Sequence, residues 1–302
     1  MRNDSSAIHF RKELQAVIAS GASLLNPEQR QSTIDYLKSS IKGSCFVNAL
    51  GHIDIINAFY TFACLKALDG AEKYESTLIN TLKKCEDPGH MDIQTLEALA
   101  ASWSLVTQEA PDKFLPSEIA DRLEALRCMD GAWSHITRSR HCSVYGTYLA
   151  FSAFQCLEKP IPDEAKVIKS LNALKSKDGA FSHEMDSEHG SIPSTYFSIA
   201  LLKSMEEEPA HQLAHWVLGQ QSDDGGFLAA RIMPFADTSS TAYGLHALKL
   251  MNKNFDHLNT SISEYLNDLI LNTGGFSAHC RAPEADVVST YYGLAALGFL
   301  DN

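Results

Sequence analysis

Two kinds of hydrophobic pattern alternate along the chain. Six segments of about 15 residues are apolar on nearly every side, and they start at residues 54, 92, 143, 191, 237 and 286. Between them lie amphipathic stretches with one charged face, at roughly 28–41, 71–84, 116–128, 163–175, 209–221 and 258–271. A helix that is apolar all round is buried on both sides, whereas a one-sided helix lies at a surface. The pattern therefore predicts six buried helices, each paired with a surface helix.

Local signals support helices in the one-sided stretches. Several open with Pro or Ser where the first helical turn tolerates them, as in "NPEQ", "LPSE", "IPDE" and "EEPA". In the first stretch Ile34, Leu37 and Ile41 recur at i, i+3 and i+7, the spacing of one helix face. A further helix over about residues 8–20 is predicted to precede the pairs.

A glycine turn precedes four of the six apolar segments. The turns read "DGAWSH" (130–135), "DGAFSH" (178–183), "DGGFLA" (224–229) and "GGFSAH" (274–279). The repeat period of roughly 38–51 residues is typical of helix-pair repeats. Six such pairs close naturally into an inner ring inside an outer ring. We therefore predict an all-α protein, an α6/α6 toroid with an extra N-terminal helix. It forms a single domain over 1–302, with repeats starting near 28, 71, 116, 163, 209 and 258.

Composition limits the classes of binding partner and the cellular compartment that we expect for the protein. The net charge is −12 and no Lys/Arg stripe offsets it, which argues against nucleic acid as a partner. No stretch approaches the ~18 uninterrupted apolar residues of a membrane span, and the N-terminus lacks the apolar region of a signal peptide. The seven cysteines are odd in number and show no CxxC spacing. We expect a cytoplasmic protein without a membrane span.

Aligning the six apolar segments reveals a repeated register of chemical groups. The segments begin with Asp or Ser, and two residues earlier four of them carry His. Asp or Ser at a helix start is a preferred N-cap, but His and Asp that converge on one mouth of a ring can also hold a diphosphate or supply a proton. The candidate catalytic residues are therefore Asp54, Asp92, Asp237, Asp286, His52, His90, His141 and His189.

The glycine turns resemble the QW-type repeats of squalene and terpene cyclases. "QSDDGGF" at 221–227 fits their Q-x-x-x-G-x-W pattern with Phe in place of Trp. The C-terminal "GGFSAHCRAPEADVVSTYYGLAALG" is similar to the last repeat of a protein prenyltransferase β subunit. The likeness covers about residues 30–302, and it implies a toroid that handles isoprenoids.

The chemical motifs of both families are incomplete here. In protein prenyltransferases, Asp and Cys of a D-x-C phrase and a His of the last repeat hold zinc. Here Asp237 is kept, but Ser239 and Ser289 stand at the other two positions, and hydroxyls are poor zinc ligands. We expect no metal site in the protein. Of the D-x-D-D-T acid motif of class II cyclases, only the first Asp survives in "DTSST", so the acid would come from elsewhere, with Asp54, Asp92 and Asp286 as candidates.

Substrate-binding candidates follow from the same resemblance. Arg231 matches by spacing the Arg that contacts diphosphate in prenyltransferases, and Arg281, Arg138 and Arg140 lie in equivalent loops. A diphosphate substrate would bring Mg²⁺ with it. Aromatic side chains of the apolar segments are expected to line a central cavity that suits a polyprenyl chain and stabilises carbocations. The candidates are Tyr60, Trp103, Tyr148, Tyr196, Tyr243 and Tyr291.

Three functions remain open at this point. The first is an isoprenoid enzyme, a small terpene-cyclase-like catalyst that folds a linear prenyl substrate in the aromatic cavity beside the Asp/His groups. The second is a prenyltransferase-like enzyme that joins a prenyl diphosphate to an acceptor without the usual zinc. Protein prenyltransferases need a helical α-subunit partner, which nothing in this chain indicates. The third is a non-catalytic toroid that binds a lipid or a protein.

Overall fold

The computed structural model describes residues 9–85, 87–106, 116–136, 138–183 and 185–301. Within these residues there are thirteen α-helices: α1 Phe10–Leu24, α2 Pro27–Lys38, α3 Ile55–Asp69, α4 Glu75–Lys83, α5 Ile93–Leu105, α6 Pro116–Ala125, α7 Val144–Cys156, α8 Glu164–Asn172, α9 Ile192–Ser204, α10 Gln212–Leu218, α11 Thr238–Leu250, α12 Asn259–Leu269 and α13 Val287–Leu300. Two antiparallel strand pairs are short: β1 Ile41–Lys42 with β2 Cys45–Phe46, and β3 Phe276–Ser277 with β4 Ala285–Asp286. Single 3-10 turns cover Pro88–His90 and Asp256–Leu258.

The six apolar segments form a closed inner ring. Helix α3 packs on α5, α5 on α7, α7 on α9, α9 on α11 and α11 on α13, and α13 packs back on α3. Helices α2 and α4 pack on α3 from outside, and α6, α10 and α12 pack on α5, α11 and α13. The predicted α6/α6 toroid is confirmed. No helix of the described ranges combines the length and the apolar character that crossing a membrane requires.

Each inner helix begins at a side-chain cap. The capping residues are Asp54, Asp92, Ser143, Ser191, Asp237 and Asp286, and each side chain accepts the backbone N–H three residues further on. Such a cap satisfies an amide that has no partner within the helix. We call the end of the ring where these caps lie the mouth.

The glycine turns tie the outer helices to the inner ones. Gly131 has φ 95°, a conformation that glycine adopts without steric cost, and this turn directs the fully buried Trp133 towards α7. The N–H of Trp133 then donates to the hydroxyl of Thr147. The same pair of a turn aromatic and a helix threonine recurs as Phe181–Thr195, Phe227–Thr241 and Phe276–Thr290. The repetition holds every turn at the same height on its helix.

Helix α1 lies inside the inner ring. It packs against α3, α7 and α13, and its side chains also reach Glu97 on α5 and His246 on α11. Ser20 donates to Asp301 at the far end of α13, whereas Phe10 stacks on Tyr148 in the second turn of α7. The helix therefore fills the half of the ring that lies away from the mouth.

Two glycines allow the backbones of α1 and α13 to touch. A Cβ on Gly21 would overlap the carbonyl oxygen of Leu294, and a Cβ on Gly298 would overlap that of Val17. No side chain can yield here because both obstacles are backbone atoms. Glycine at both positions is thus a steric requirement for the insertion of α1.

We expect Gly298→Ala to destabilise the protein by about 1–3 kcal/mol, since the added methyl group must push α1 away from α13. The measurement is the urea concentration at the unfolding midpoint. Gly219→Ala is the matched control, because Gly219 has φ −69° and a Cβ there would meet its neighbours at 3.4 Å. Equal midpoints for both variants would contradict the close contact.

Candidate functional site

The half of the ring above α1 contains a cavity of about 360 Å³ that opens towards the mouth. This volume falls in the range of ligand pockets, about 300–1,000 Å³. Every inner helix contributes to the wall, which is mainly apolar. The lining residues are Ile56, Phe59, Tyr60, Gln94, Glu97, Ala98, Tyr145, Leu149, Pro193, Phe197, Tyr243, Val288 and Tyr292, together with His183 from a glycine turn.

Five aromatic rings form a continuous belt around the cavity. The ring centroids of Tyr145 and Phe197 are 5.4 Å apart, those of Phe197 and Tyr243 5.1 Å, and those of Tyr243 and Tyr292 4.7 Å. Tyr60 continues the belt at 6.2 Å from Tyr292. Burial raises the pKa of Tyr243 and of Tyr292 well above the ordinary tyrosine value, so both phenols stay protonated.

A buried ion pair lies where the cavity meets α1. The Arg11 Nε donates to Glu97 Oε1 at 2.7 Å and its Nη2 donates to Oε2 at 2.8 Å. The Ser152 hydroxyl donates to Oε1 as well, at 2.8 Å. Arg11 and Glu97 are only 3% and 2% exposed. Burial alone would lower the pKa of Arg11, but the Glu97 carboxylate outweighs it and holds that pKa above its ordinary value. The cavity wall therefore contains a carboxylate that Arg11 and Ser152 hold in one position.

Glu97 and His183 line the cavity although neither belongs to the candidate residues that the sequence patterns indicated. Glu97 is a carboxylate inside a segment that is otherwise apolar on every side, and that exception was the available signal. Its partner Arg11 is 86 residues away, a pairing that no local pattern reveals. His183 belongs to the "DGAFSH" turn, whose histidine lies outside the aligned register.

The structure places all four candidate aspartates at helix caps. Asp54, Asp92, Asp237 and Asp286 each accept a backbone N–H, and Asp286 also accepts the hydroxyl of Ser289. None of the four lines the central cavity. Burial raises the pKa of Asp237, and hydrogen bonds from Ser240 and Ser239 only partly oppose that shift. A role for these carboxylates as proton donors is therefore a proposal that goes beyond their capping role.

The four candidate histidines lie at the mouth but outside the cavity. His52, His90, His141 and His189 are all exposed. The Nδ1 of His141 is 3.9 Å from the carboxylate of Asp130, and that of His189 is 3.9 Å from the carboxylate of Asp178. The same His–Asp contact therefore forms in each of these two repeats. Within the described ranges no three His, Cys, Asp or Glu side chains are grouped so that they could hold a metal ion.

The eight candidate binding residues are divided between four locations. Tyr60 and Tyr243 line the cavity. Tyr148, Tyr196 and Tyr291 are buried behind its wall, and Trp103 is half-buried in the last turn of α5, away from the mouth. Arg231 and Arg281 are exposed in mouth loops: the Arg231 guanidinium packs near Gly219, and that of Arg281 lies 4.8 Å from the ring centroid of Phe235.

Comparison with known proteins agrees with this architecture. Residues 29–302 match the family model described as the prenyltransferase alpha-alpha toroid domain. No curated protein matches the chain in sequence.

Similar solved structures include enzymes of two kinds. A protein geranylgeranyltransferase-I from Candida albicans, complexed with GGPP, has a TM-score of 0.64 and 15% identity, with 90% of this chain and 91% of that chain covered. The type II terpene cyclase MstE from Scytonema has a TM-score of 0.62 and 12% identity, covering 93% and 97%. A variant of MstE in complex with geranylgeranyl dihydroxybenzoate has a TM-score of 0.62 and 11% identity, covering 96% and 97%. At these identities the likeness concerns the fold.

We expect Glu97→Gln to destabilise the protein by about 3–5 kcal/mol, because it leaves the buried Arg11 cation without a counter-charge. Replacing both partners, as in Arg11→Met with Glu97→Met, removes both charges and should recover most of that loss. Urea unfolding of the single and double variants checks this. A single variant as stable as the parent would show that the pair is not buried as described.

Proposed function

Because the chain belongs to the prenyltransferase alpha-alpha toroid domain family, we propose that it is an isoprenoid-handling enzyme that acts as a small terpene-cyclase-like catalyst. It folds a linear prenyl substrate inside the central cavity. The observation that carries the proposal is the belt of five aromatic rings around an apolar cavity. Toroids of similar fold have been solved with GGPP and with geranylgeranyl dihydroxybenzoate, both of which contain a prenyl chain.

The cavity wall suits both a prenyl chain and a cation formed from it. Each methylene group removed from water contributes about 0.8 kcal/mol, and the wall is mainly apolar. Aromatic faces attract a positive charge through their quadrupoles, by about 0.5–2 kcal/mol each. The Glu97 carboxylate in the same wall is paired with Arg11, so the pair adds no net charge. The aromatic faces therefore stabilise a carbocation more than they stabilise the neutral substrate, which is the condition for catalysis.

We assign the role of acid to Asp237 among the four aligned aspartates. Burial raises its pKa, so it is protonated more often at neutral pH than an exposed aspartate. It precedes Tyr243 by six residues, about 9 Å along α11, and so lies at the mouth, outside the cavity wall, where it meets the part of the substrate that extends from the cavity. Its proton adds to a carbon–carbon double bond there, and a neighbouring double bond attacks the resulting cation to close a ring. The Asp237 carboxylate then takes up a proton from carbon, which ends the reaction and restores the acid.

A second candidate is a toroid that binds an isoprenoid without converting it. The capping role of all four aspartates favours this alternative, because a cap requires only an acceptor oxygen and not a proton donor. Incubation with C10, C15 and C20 prenyl diphosphates, followed by gas-chromatographic product analysis, separates the two functions. Cyclic products identify a catalyst, and recovery of bound, unchanged substrate identifies a binder.

We expect Phe197→Leu to lower turnover about tenfold while ligand affinity changes less than threefold. Leucine keeps the wall apolar but removes one aromatic face from the belt, which costs about 1–2 kcal/mol of cation stabilisation. Turnover and dissociation constants are measured for the same prenyl diphosphate. Phe255→Leu is the control, since Phe255 is also buried but lies outside the cavity wall. Equal losses in both variants would mean that the belt has no special role.

We expect Asp237→Asn to abolish product formation while substrate still binds. Asparagine caps a helix as well as aspartate does, so the free energy of unfolding should stay within about 0.5 kcal/mol of that of the parent. Turnover of the parent should fall as the pH rises through the pKa of Asp237, because only the protonated acid donates. Asp54→Asn, Asp92→Asn and Asp286→Asn are register-matched controls. Loss of product in one of these three, with Asp237→Asn active, would reassign the acid.

A further inference from the structure

A basic pocket of about 430 Å³ lies at the mouth, between the end of α6 and the loop that precedes α7. We call it the basic pocket. Its wall contains Arg122, Arg127 and Arg138 together with His90 and His135, and its one acid is Asp92. Positive charge is concentrated here although the chain as a whole carries −12. Such a pocket attracts an anion.

The three arginines differ in the donors they have left. Arg127 is used by the fold: its Nε donates to Gly131 O and its Nη2 to Pro162 O, both at 2.7 Å. Its Nη1 donates to Glu124 Oε1 at 3.0 Å and lies 3.5 Å from Asp163 Oδ2, so its charge is already paired. Arg122 donates Nε and Nη2 to Met91 O, which leaves its Nη1. Arg138 is exposed and its guanidinium bonds to no other described residue. Arg122 and Arg138 therefore have donors for a ligand.

His135 adds a neutral donor to the basic pocket. Its Nδ1 is 2.8 Å from the Ser143 oxygen, which already accepts two backbone N–H groups, those of Gly146 and of His135 itself. With both lone pairs of that oxygen used, we assign the Ser143 hydroxyl proton to Nδ1 and the ring proton to Nε2. Burial lowers the pKa of His135, which keeps the ring neutral near pH 7.

The basic pocket adjoins the central cavity. The His135 ring contacts that of Tyr145, a cavity residue, with centroids 5.5 Å apart. A further space of about 430 Å³ lies beside both, because His135 of the basic pocket and His183 of the cavity each belong to its wall. An occupant that spans from the cavity to the basic pocket needs an apolar chain at one end and an anion at the other.

We propose that the basic pocket binds the phosphate-bearing head of the ligand whose prenyl chain occupies the cavity; this inference rests on the proposed function above. Arg122 Nη1, the Arg138 guanidinium and His135 Nε2 donate to phosphate oxygens, and hydrogen bonds from charged donors are the strong ones. Asp92 does not prevent this, since its carboxylate is engaged by the N–H of Thr95 at the start of α5. The pocket replaces Arg231 as the head-group site, because Arg231 packs by Gly219 in another repeat.

Calorimetric titration of the full chain tests the proposal with three probes: inorganic pyrophosphate, geranyl diphosphate and geraniol. We expect pyrophosphate to bind, and to bind more weakly as salt is added. Arg138→Ala should weaken pyrophosphate and geranyl diphosphate about tenfold and leave geraniol unchanged. Arg122→Lys, which keeps a charge but loses the fork of donors, should act in the same direction. Lys253→Ala, an exposed cation that follows α11 at the end of the ring opposite the mouth and outside the pocket wall, should change nothing.

The outcomes separate this inference from the proposed function. Parent-like pyrophosphate affinity in both Arg138→Ala and Arg122→Lys, or a loss in Arg231→Ala alone, would overturn the assignment of the basic pocket. Geraniol binding without pyrophosphate binding would likewise overturn it and leave the prenyl cavity standing. Pyrophosphate binding that depends on Arg138, with geranyl diphosphate no tighter and geraniol not bound, would support an anion site and refute the isoprenoid function.

Discussion

Six helices that are apolar on every side must bury the faces that they turn towards the axis of their own ring. Helix α1 meets half of this requirement by filling the ring from the end opposite the mouth. The filling depends on direct backbone contact at Gly21 and Gly298. Apolar surface that α1 does not reach must either collapse or enclose a cavity, and the large rings of the aromatic belt hold it open. The depth of the cavity is therefore set by the position of the N-terminal end of α1, where Arg11 meets Glu97.

The Arg11–Glu97 pair marks the boundary between the filled and the open halves. Arg11 belongs to α1 and Glu97 to the wall of the ring, so the pair ties the inserted helix to α5 at a defined height. A buried pair of this kind is a weak source of net stability, because desolvation offsets most of the attraction. Its contribution is specificity: α1 can enter in one register only without leaving a charge unpaired.

Local regularities of the sequence were enough to predict the ring of helices, but not the helix and the side chains that lie inside it. The expected segment starts at 54, 92, 143, 191, 237 and 286 coincide with the six observed caps, since capping chemistry and apolar periodicity are both short-range. The insertion of α1, the role of Glu97 and the grouping of Arg122 with Arg138 each depend on residues that meet only in three dimensions. Aromatic character alone could not tell Tyr243, in the cavity wall, from Tyr196 behind it, because both lie on the same apolar helix type.

The charges around the cavity leave an amphiphilic ligand a single favourable orientation. At the floor, Glu97 is neutralised by Arg11, and the surrounding wall offers mainly carbon and aromatic rings. An anionic head placed there would lose its hydration and meet a carboxylate. At the mouth, Arg122 and Arg138 have donors that the fold does not use. In the function we propose, the chain end of the ligand therefore enters first and the head stays at the mouth. The register that repeats a cap at the start of every inner helix places Asp237 at this same end, so the proposed reaction begins near the mouth and its cation is stabilised deeper in the belt.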